Sequence, residues 1–396
     1  MVPEEGRSLA ESNILIVWPN GPGSLGPKLK SFIQQHRRIK SASFLFVGHP
    51  VPLSAALSRE SEFLFLSGQD GSRRIVLPRE GYIGLPSLIM DWILTVFLLV
   101  KTRRRYDLCI TMSLHLLLLG ILLRSVGVVK QVVSVVEEYN PPRYGLPLLR
   151  RLYRRITSWC LVRSDFVVQT SPLIDEALNR DGIRVDPTKQ IIIPQPVDSS
   201  EIGFLPLDQL EPDSVVYIGQ MTPEYGFELV VEAMDLVVRK RPASIVTVTS
   251  YTRFPPHLLE MIRAKGLERH FRLLGFARDE ELRNVVRKNR VALAIYRPTA
   301  TSKKYADVFR PWVYMANGVP TIITRVPPVA AEIEKAEAGV VIDYEREQLA
   351  NAILSLVTDD QLHHRCRQNG LALVRRRTTG PVLRELLVKL GIPADN

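Results

Sequence analysis

The chain has 396 residues, 46% hydrophobic and 23% charged, which suits two or three α/β domains with ample core. A formal net charge of +11 points to an anionic partner, with nucleic acid, anionic lipid and phosphorylated substrate all open. Three cysteines, Cys109, Cys160 and Cys366, lie far apart; this excludes a disulfide framework and a zinc site and fits a reducing cytosol.

The N-terminus, MVPEEGRSLAES, is polar and acidic, unlike a signal peptide. The most apolar runs, 88–100 and 108–136, are broken by Asp91 and by Arg124 and Lys130. Neither gives about 20 uninterrupted apolar residues, so no transmembrane helix is expected.

The apolar run 14–18 (ILIVW) predicts a buried parallel strand. The loop after it, Asn20 to Gly26, is rich in glycine. Gly21 and Gly23 would let a ligand approach the backbone, or the loop is an ordinary turn. A helix is predicted over 27–35, strands over 43–47 and 63–66, and an apolar helix over 87–100. The KTRRR run that ends this helix puts cations at the negative end of its dipole. Strand 108–112, helix 115–124 and strand 131–136 follow, the last running into Glu137-Glu138-Tyr139.

A strand's carboxyl end in an open parallel sheet points at the ligand crevice. There, the adjacent carboxylates Glu137 and Glu138 would position ligand hydroxyls or stabilise developing positive charge. The competing reading is a solvated loop with one Glu capping a helix.

The stretch 140–163 holds six arginines and no acid. At about 100° per residue, Leu149, Leu152, Tyr153, Ile156, Trp159 and Cys160 share one helical face. Arg150, Arg151, Arg154 and Arg155 cover the other. Such a helix suits a membrane surface or a lipid phosphate; otherwise it is a core helix with a solvated basic side. Strand 165–169, a helix from Ser171 to Asn179 and strand 190–194 complete this half. The Pro- and acid-rich segment 194–213 reads as a linker.

The α/β pattern then restarts. Strand 214–218 exits through Gly219-Gln220-Met221 into a helix over 223–239, entered at Tyr225-Gly226. Strand 244–249, helix 256–265, strand 271–274 with the exit Gly275-Phe276, helix 279–289 and strand 291–296 ending in Arg297-Pro298 follow. The segment 305–324, YADVFRPWVYMANGVPTIIT, reads as helix, tight turn and strand, with the helix starting near residues 307–311. In a doubly wound sheet the amides of such a helix start favour anions, and Lys303, Lys304 and Arg310 lie near it. Strand 339–342 and helices 347–358, 361–377 and 381–390 close the chain.

These motifs resemble those of retaining, nucleotide-sugar-dependent glycosyltransferases of family four. The run Tyr314-Met315-Ala316-Asn317-Gly318-Val319-Pro320 is similar to the second half of their C-terminal motif, Ile193-Pro194…Val197-Asp198 to their interdomain motif, and Gly219…Gly226 to their first donor loop. The resemblance implies a GT-B fold: two Rossmann-like domains, 1–197 and 198–375, facing across a cleft, with 376–396 crossing back to the first.

It further implies a nucleotide-sugar co-substrate, neither metal nor cofactor, and a donor site formed by Gln220, Tyr225, Gly275, Phe276, Arg297, Lys303, Lys304, Tyr305, Arg310 and Val313. Four of these depart from the family pattern. Gln220 and Tyr225 stand where an Arg and a Lys hold the diphosphate. Tyr305 and Val313 stand where two Glu residues are usual, and Arg310 replaces a Lys.

The expected activity is sugar transfer to a glycolipid, polysaccharide or lipid-linked acceptor at the cytosolic membrane face. The substitutions leave a catalytically silent binding or scaffolding protein as the alternative. Nucleic-acid binding has only the net charge behind it, without basic–aromatic interleaving.

Overall fold

The computed structural model describes residues 12–19, 25–35, 43–49, 60–67, 71–78, 85–139, 147–250, 253–277, 279–300 and 302–392. The chain forms two compact units, Met1–Pro196 with Thr379–Asn396, and Val197–Thr378.

The first unit is built on an eight-stranded sheet. Its elements are β1 (Ile14–Pro19), α1 (Leu25–Gln35), β2 (Ser43–His49), β3 (Glu60–Ser67), β4 (Gly71–Pro78), α2 (Leu85–Thr102), β5 (Tyr106–Met112), α3 (Leu114–Ser125), β6 (Val129–Val136), α4 (Pro147–Arg163), β7 (Phe166–Gln169), α5 (Leu173–Arg180) and β8 (Gln190–Ile192). The strand order is β4-β3-β2-β1-β5-β6-β7-β8. Strand β1 is buried from Ile14 to Trp18, as its unbroken apolar run requires of a strand covered on both faces.

Strand β4 was not visible in the sequence. It pairs antiparallel with β3, which pairs antiparallel with β2. A parallel pairing needs a crossover of roughly a dozen residues. Only 68–70 separate β3 from β4, so this edge must be a hairpin.

The second unit holds a six-stranded, wholly parallel sheet of order β11-β10-β9-β12-β13-β14. Its elements are β9 (Glu211–Ile218), α6 (Phe227–Lys240), β10 (Ile245–Thr249), α7 (Pro256–Ala264), β11 (Phe271–Gly275), α8 (Asp279–Arg287), β12 (Asn289–Ala294), α9 (Phe309–Ala316), β13 (Thr321–Thr324), α10 (Val329–Lys335), β14 (Gly339–Ile342), α11 (Arg346–Thr358) and α12 (Asp360–Arg375). Two apolar clusters fill this unit. One is built on Tyr217, Phe227, Val248 and Leu293, the other on Ile218, Ala292, Trp312 and Ile323. This is the Rossmann strand order, and its switch point lies between β9 and β12.

The predicted helix over 223–239 begins only at Phe227. A 3-10 turn, Pro223–Tyr225, precedes it, and Gly226 at φ +57° makes the corner. The short helix α10, behind Pro327-Pro328, was not anticipated. The final helix, α13 (Thr379–Lys389), belongs to the first unit; its Val382, Leu383, Leu386 and Leu387 join the core of β1, β2 and α1.

Candidate functional site

The carboxyl ends of β9 and β12 diverge at the switch point, and Arg310 fills the gap between them. It stands in the first turn of α9, yet its side chain runs inward. Nη1 donates to the Ile218 carbonyl at 2.7 Å and Nη2 to the Ile295 carbonyl at 3.2 Å, one from each strand exit. Nε donates to the Tyr296 hydroxyl at 3.1 Å.

Aromatic rings surround the guanidinium, whose carbon lies 4.4 Å from the ring centre of Tyr296, 4.5 Å from Tyr225 and 5.4 Å from Tyr217. The rings are themselves fixed. Tyr217 donates its hydroxyl to the Tyr225 carbonyl at 3.0 Å. The Tyr314 hydroxyl accepts from the Ile218 amide at 2.8 Å and donates to the Leu293 carbonyl at 3.1 Å. Gly219 is required by this crowding: a Cβ there would lie 2.9 Å from Arg310 Nη1 and 3.2 Å from the Tyr217 ring.

Arg310 keeps only 8% of its surface exposed. Burial disfavours its charge, whereas the four tyrosine hydroxyls favour it, and the balance holds its pKa above the ordinary value. Among the described residues no carboxylate lies within ion-pair distance of it. A buried cation held only by carbonyls, a hydroxyl and π faces carries a net positive charge that favours an anion nearby. Each terminal nitrogen also keeps a second N–H beyond the bond already made.

Arg310 was expected near the start of this helix; the structure adds that its side chain bridges the two strand exits from beneath. Lys303 is also buried, with its ammonium 5.5 Å from the Tyr225 ring centre. Lys304 is exposed. Arg297 donates its amide to the Glu224 carbonyl, and its guanidinium lies 3.3 Å from Glu228 and over the Tyr344 ring.

Gln220 is half-buried just past Gly219. Gly275, at φ +73°, ends β11 and accepts from the Ser250 amide, and Phe276 follows half-buried. The structure thus gathers Gln220, Tyr225, Arg297, Lys303 and Arg310 around the exits of β9 and β12. Tyr305 and Val313 are buried, Val313 packing in the apolar cluster with Val308 and Trp312. At the start of α9, Asp307 is occupied: it accepts from Trp312 Nε1 at 2.9 Å and from Arg377 at 2.5 Å. The tyrosine box of Tyr217, Tyr296 and Tyr314 was missed. Its one signal in the sequence is that Tyr217 and Tyr296 stand at or beside strand ends.

In the first unit Gly21 and Gly23 lie outside the described residues. Glu137 is buried at the end of β6, and its Oε1 accepts from the Leu25 amide, the first residue of α1, at 2.5 Å. Burial pushes its carboxyl up to about 7, against the pull of the Leu25 amide, Lys28 and Gln195. The capping reading is therefore realised for Glu137, in a buried rather than a solvated setting. Glu138, beside it, is half-buried.

On α4 only an edge of the expected apolar face is buried. Thr157, Cys160 and Leu161 face the core, while Leu149, Leu152 and Trp159 are exposed. Arg150, Arg151 and Arg155 are exposed as expected. Arg154 finds an acid outside its own helix, Asp181 at 3.6 Å.

Residues 48–196 match the "Glycosyl transferase 4-like domain" model, and residues 212–359 match the "Glycosyl transferases group 1" model. No curated protein sequence matches the chain. Among solved structures it is similar to HepE of Anabaena in complex with UDP-glucose, with TM-score 0.70 and 15% identity over 96% of this chain and 99% of that one. It is also similar to sucrose-phosphate synthase of Thermosynechococcus elongatus, with TM-score 0.69 and 15% identity over 96% and 100%. A glycosyltransferase from Rickettsia africae gives 0.64 and 13% over 96% and 97%. The two domain matches, each lying on one of the Rossmann-like units, and the likeness in fold make this chain a glycosyltransferase of the GT-B fold.

Proposed function

We propose that the chain transfers a sugar from a nucleoside diphosphate, with retention as in family four, to a lipid-linked acceptor at the cytosolic face of a membrane. The observation that carries the donor reading is the buried Arg310 without a counter-charge at the β9/β12 switch point, with Lys303 beside it on the shared Tyr225 ring. A diphosphate supplies the missing negative charge. It also explains why Gln220 and Tyr225 can stand where cations are usual: the charge comes from beneath the strand exits instead.

As the acceptor oxygen bonds the anomeric carbon, the bond from that carbon to the diphosphate breaks and its electron pair stays with the phosphate. The acceptor's proton passes to the departing phosphate oxygen. Arg310 and Lys303 stabilise the charge that develops there. The base stacks beside Gly275-Phe276. Glu137 acts as a positioning group and Glu138 contacts the sugar. The exposed arginines and leucines of α4 support the membrane placement of the acceptor.

Because the Anabaena neighbour is in complex with UDP-glucose, UDP is the first probe. Calorimetric titration with UDP, GDP and ADP should show saturable binding of at least one, weakened in Arg310→Lys, which keeps the charge but loses the two-carbonyl bridge. No heat from any of the three at millimolar concentration would remove the donor reading. The anomeric configuration of the product, read by NMR, tests retention.

A further inference from the structure

We propose that the first unit carries a second anion site, separate from the strand exits, where an anionic phospholipid headgroup docks while the outer face of α2 enters the membrane. This rests on the membrane placement above and assigns it a second contact.

The outer face of α2 is apolar and uncovered. Ile89, Ile93, Val96, Phe97 and Val100 are between 40% and 67% exposed. At about 100° per residue they fall within one narrow stripe along three turns. The polar residues of the helix that lie opposite, Ser87, Asp91 and Thr95, are buried inward. No helix among the described residues is long and apolar enough to cross a membrane, so such a stripe can lie only along a surface.

At the helix's C-terminal end, round the helix from the stripe, Leu98, Lys101 and Thr102 line a cavity of about 280 Å³, with Lys101 nearest the stripe's edge. Its floor is apolar, from Phe63, Phe65 and Ile75, and cations surround it: Arg73 from β4, Lys101 from the last turn of α2, and Arg104, whose guanidinium lies 4.9 Å from the Phe65 ring centre. Among the described residues neither Arg73 nor Lys101 has an acid partner, and both cations lie exposed. The cavity sits toward the start of β2, the end of this unit's sheet away from the carboxyl ends of its parallel strands.

Apolar floor, cationic rim and adjoining exposed apolar helix fit an amphiphile with a phosphate head. Charge complementarity selects an anionic lipid surface over a second copy of this basic chain, whose like charges would repel.

The test is sedimentation with phosphatidylcholine vesicles, with and without phosphatidylglycerol, using the full chain. Wild type should bind the anionic vesicles, and more weakly as salt rises. Arg73→Gln with Lys101→Gln should weaken binding by roughly 30-fold. Ile93→Glu with Phe97→Glu should abolish it. UDP titration should be unchanged in both double variants, which also confirms that they fold.

Equal vesicle binding by wild type and both variants, with loss only when Arg150, Arg151, Arg154 and Arg155 become Gln, would overturn the α2 site and leave the membrane reading standing. No binding by wild type would overturn both. Release from vesicles by millimolar inorganic phosphate at constant ionic strength would make free phosphate the occupant and overturn the lipid assignment. So would a dimer in size-exclusion chromatography that Ile93→Glu with Phe97→Glu dissociates.

Discussion

Gly219 and Glu137 make the sharpest single-residue predictions. In Gly219→Ala the new methyl would press on the Arg310 guanidinium, which is pinned on both sides and cannot step away. Overpacking of this kind costs about 1–3 kcal/mol. Urea unfolding should show that loss, and calorimetry a weaker nucleoside diphosphate affinity; a variant with wild-type values in both would contradict the pinned bridge.

Glu137 is the other case. Its folded-state pKa is raised above the value near 4.5 of a free carboxyl to about 7, chiefly by burial. The folded state therefore binds its proton more tightly than the unfolded one. Its contribution is most favourable below about pH 4.5 and is lost as pH rises through 7. Glu137→Gln keeps a carbonyl for the Leu25 amide and removes the charge. Relative to wild type, it should gain up to about 3 kcal/mol between pH 5 and pH 8.5. Equal pH dependence of the two unfolding midpoints would refute this.

The residue types at these sites were visible in the sequence, but their orientation was not. A position in the first turn of a helix does not reveal that its side chain threads back under two strand ends. For the strand-end Glu137 a helix-capping role was among the readings, but its burial was not.

At the scale of elements, the helix–turn–strand motif behaves as its composition demands. Gly318, at φ +66°, ends α9 with its amide on the Met315 carbonyl, and the Val319 amide reaches back to the Tyr314 carbonyl. A Cβ at Gly318 would lie 2.4 Å from that of Phe204. Gly318→Ala should cost about 1–2 kcal/mol for the left-handed backbone alone, and more through Phe204. Thermal unfolding unchanged from wild type would show that the turn tolerates a side chain.

Most strands were legible because their apolar runs are unbroken, as covered parallel strands require. Strand β4 was not. It is an edge strand carrying Arg73 and Arg74, and its exposed Val76 and Leu77 follow no buried pattern. Helix α4 was legible as a helix, but its burial was misread. Periodicity names an apolar face without saying that the face is covered, and on this helix much of it is left to the surroundings.

For the molecule as a whole, the two-lobed α/β plan follows from an apolar strand pattern that stops at the Pro- and acid-rich linker and starts again. What the pattern could not reveal is how the chain passes between its units. The Val197 amide bonds the Arg377 carbonyl at 2.8 Å, and Val197 bridges to Thr378, so the second unit begins and ends at neighbouring residues. The closing helix α13 meanwhile plugs the core of the first. Burying its Val382, Leu383, Leu386 and Leu387 contributes about 1.5–3 kcal/mol each, comparable to the whole stability of a domain. A chain cut after Thr378 should accordingly lose the first unit, seen as rapid proteolysis of 12–196 while 197–378 survives; full protease resistance of both halves would count against it.

The same topology makes the second unit an insertion. Joining Pro196 directly to Thr379 should yield a small autonomous protein that retains the lipid-docking surface, and the excised middle piece should fold as a free-standing nucleotide receptor, so that each activity can be assayed in a separate tube.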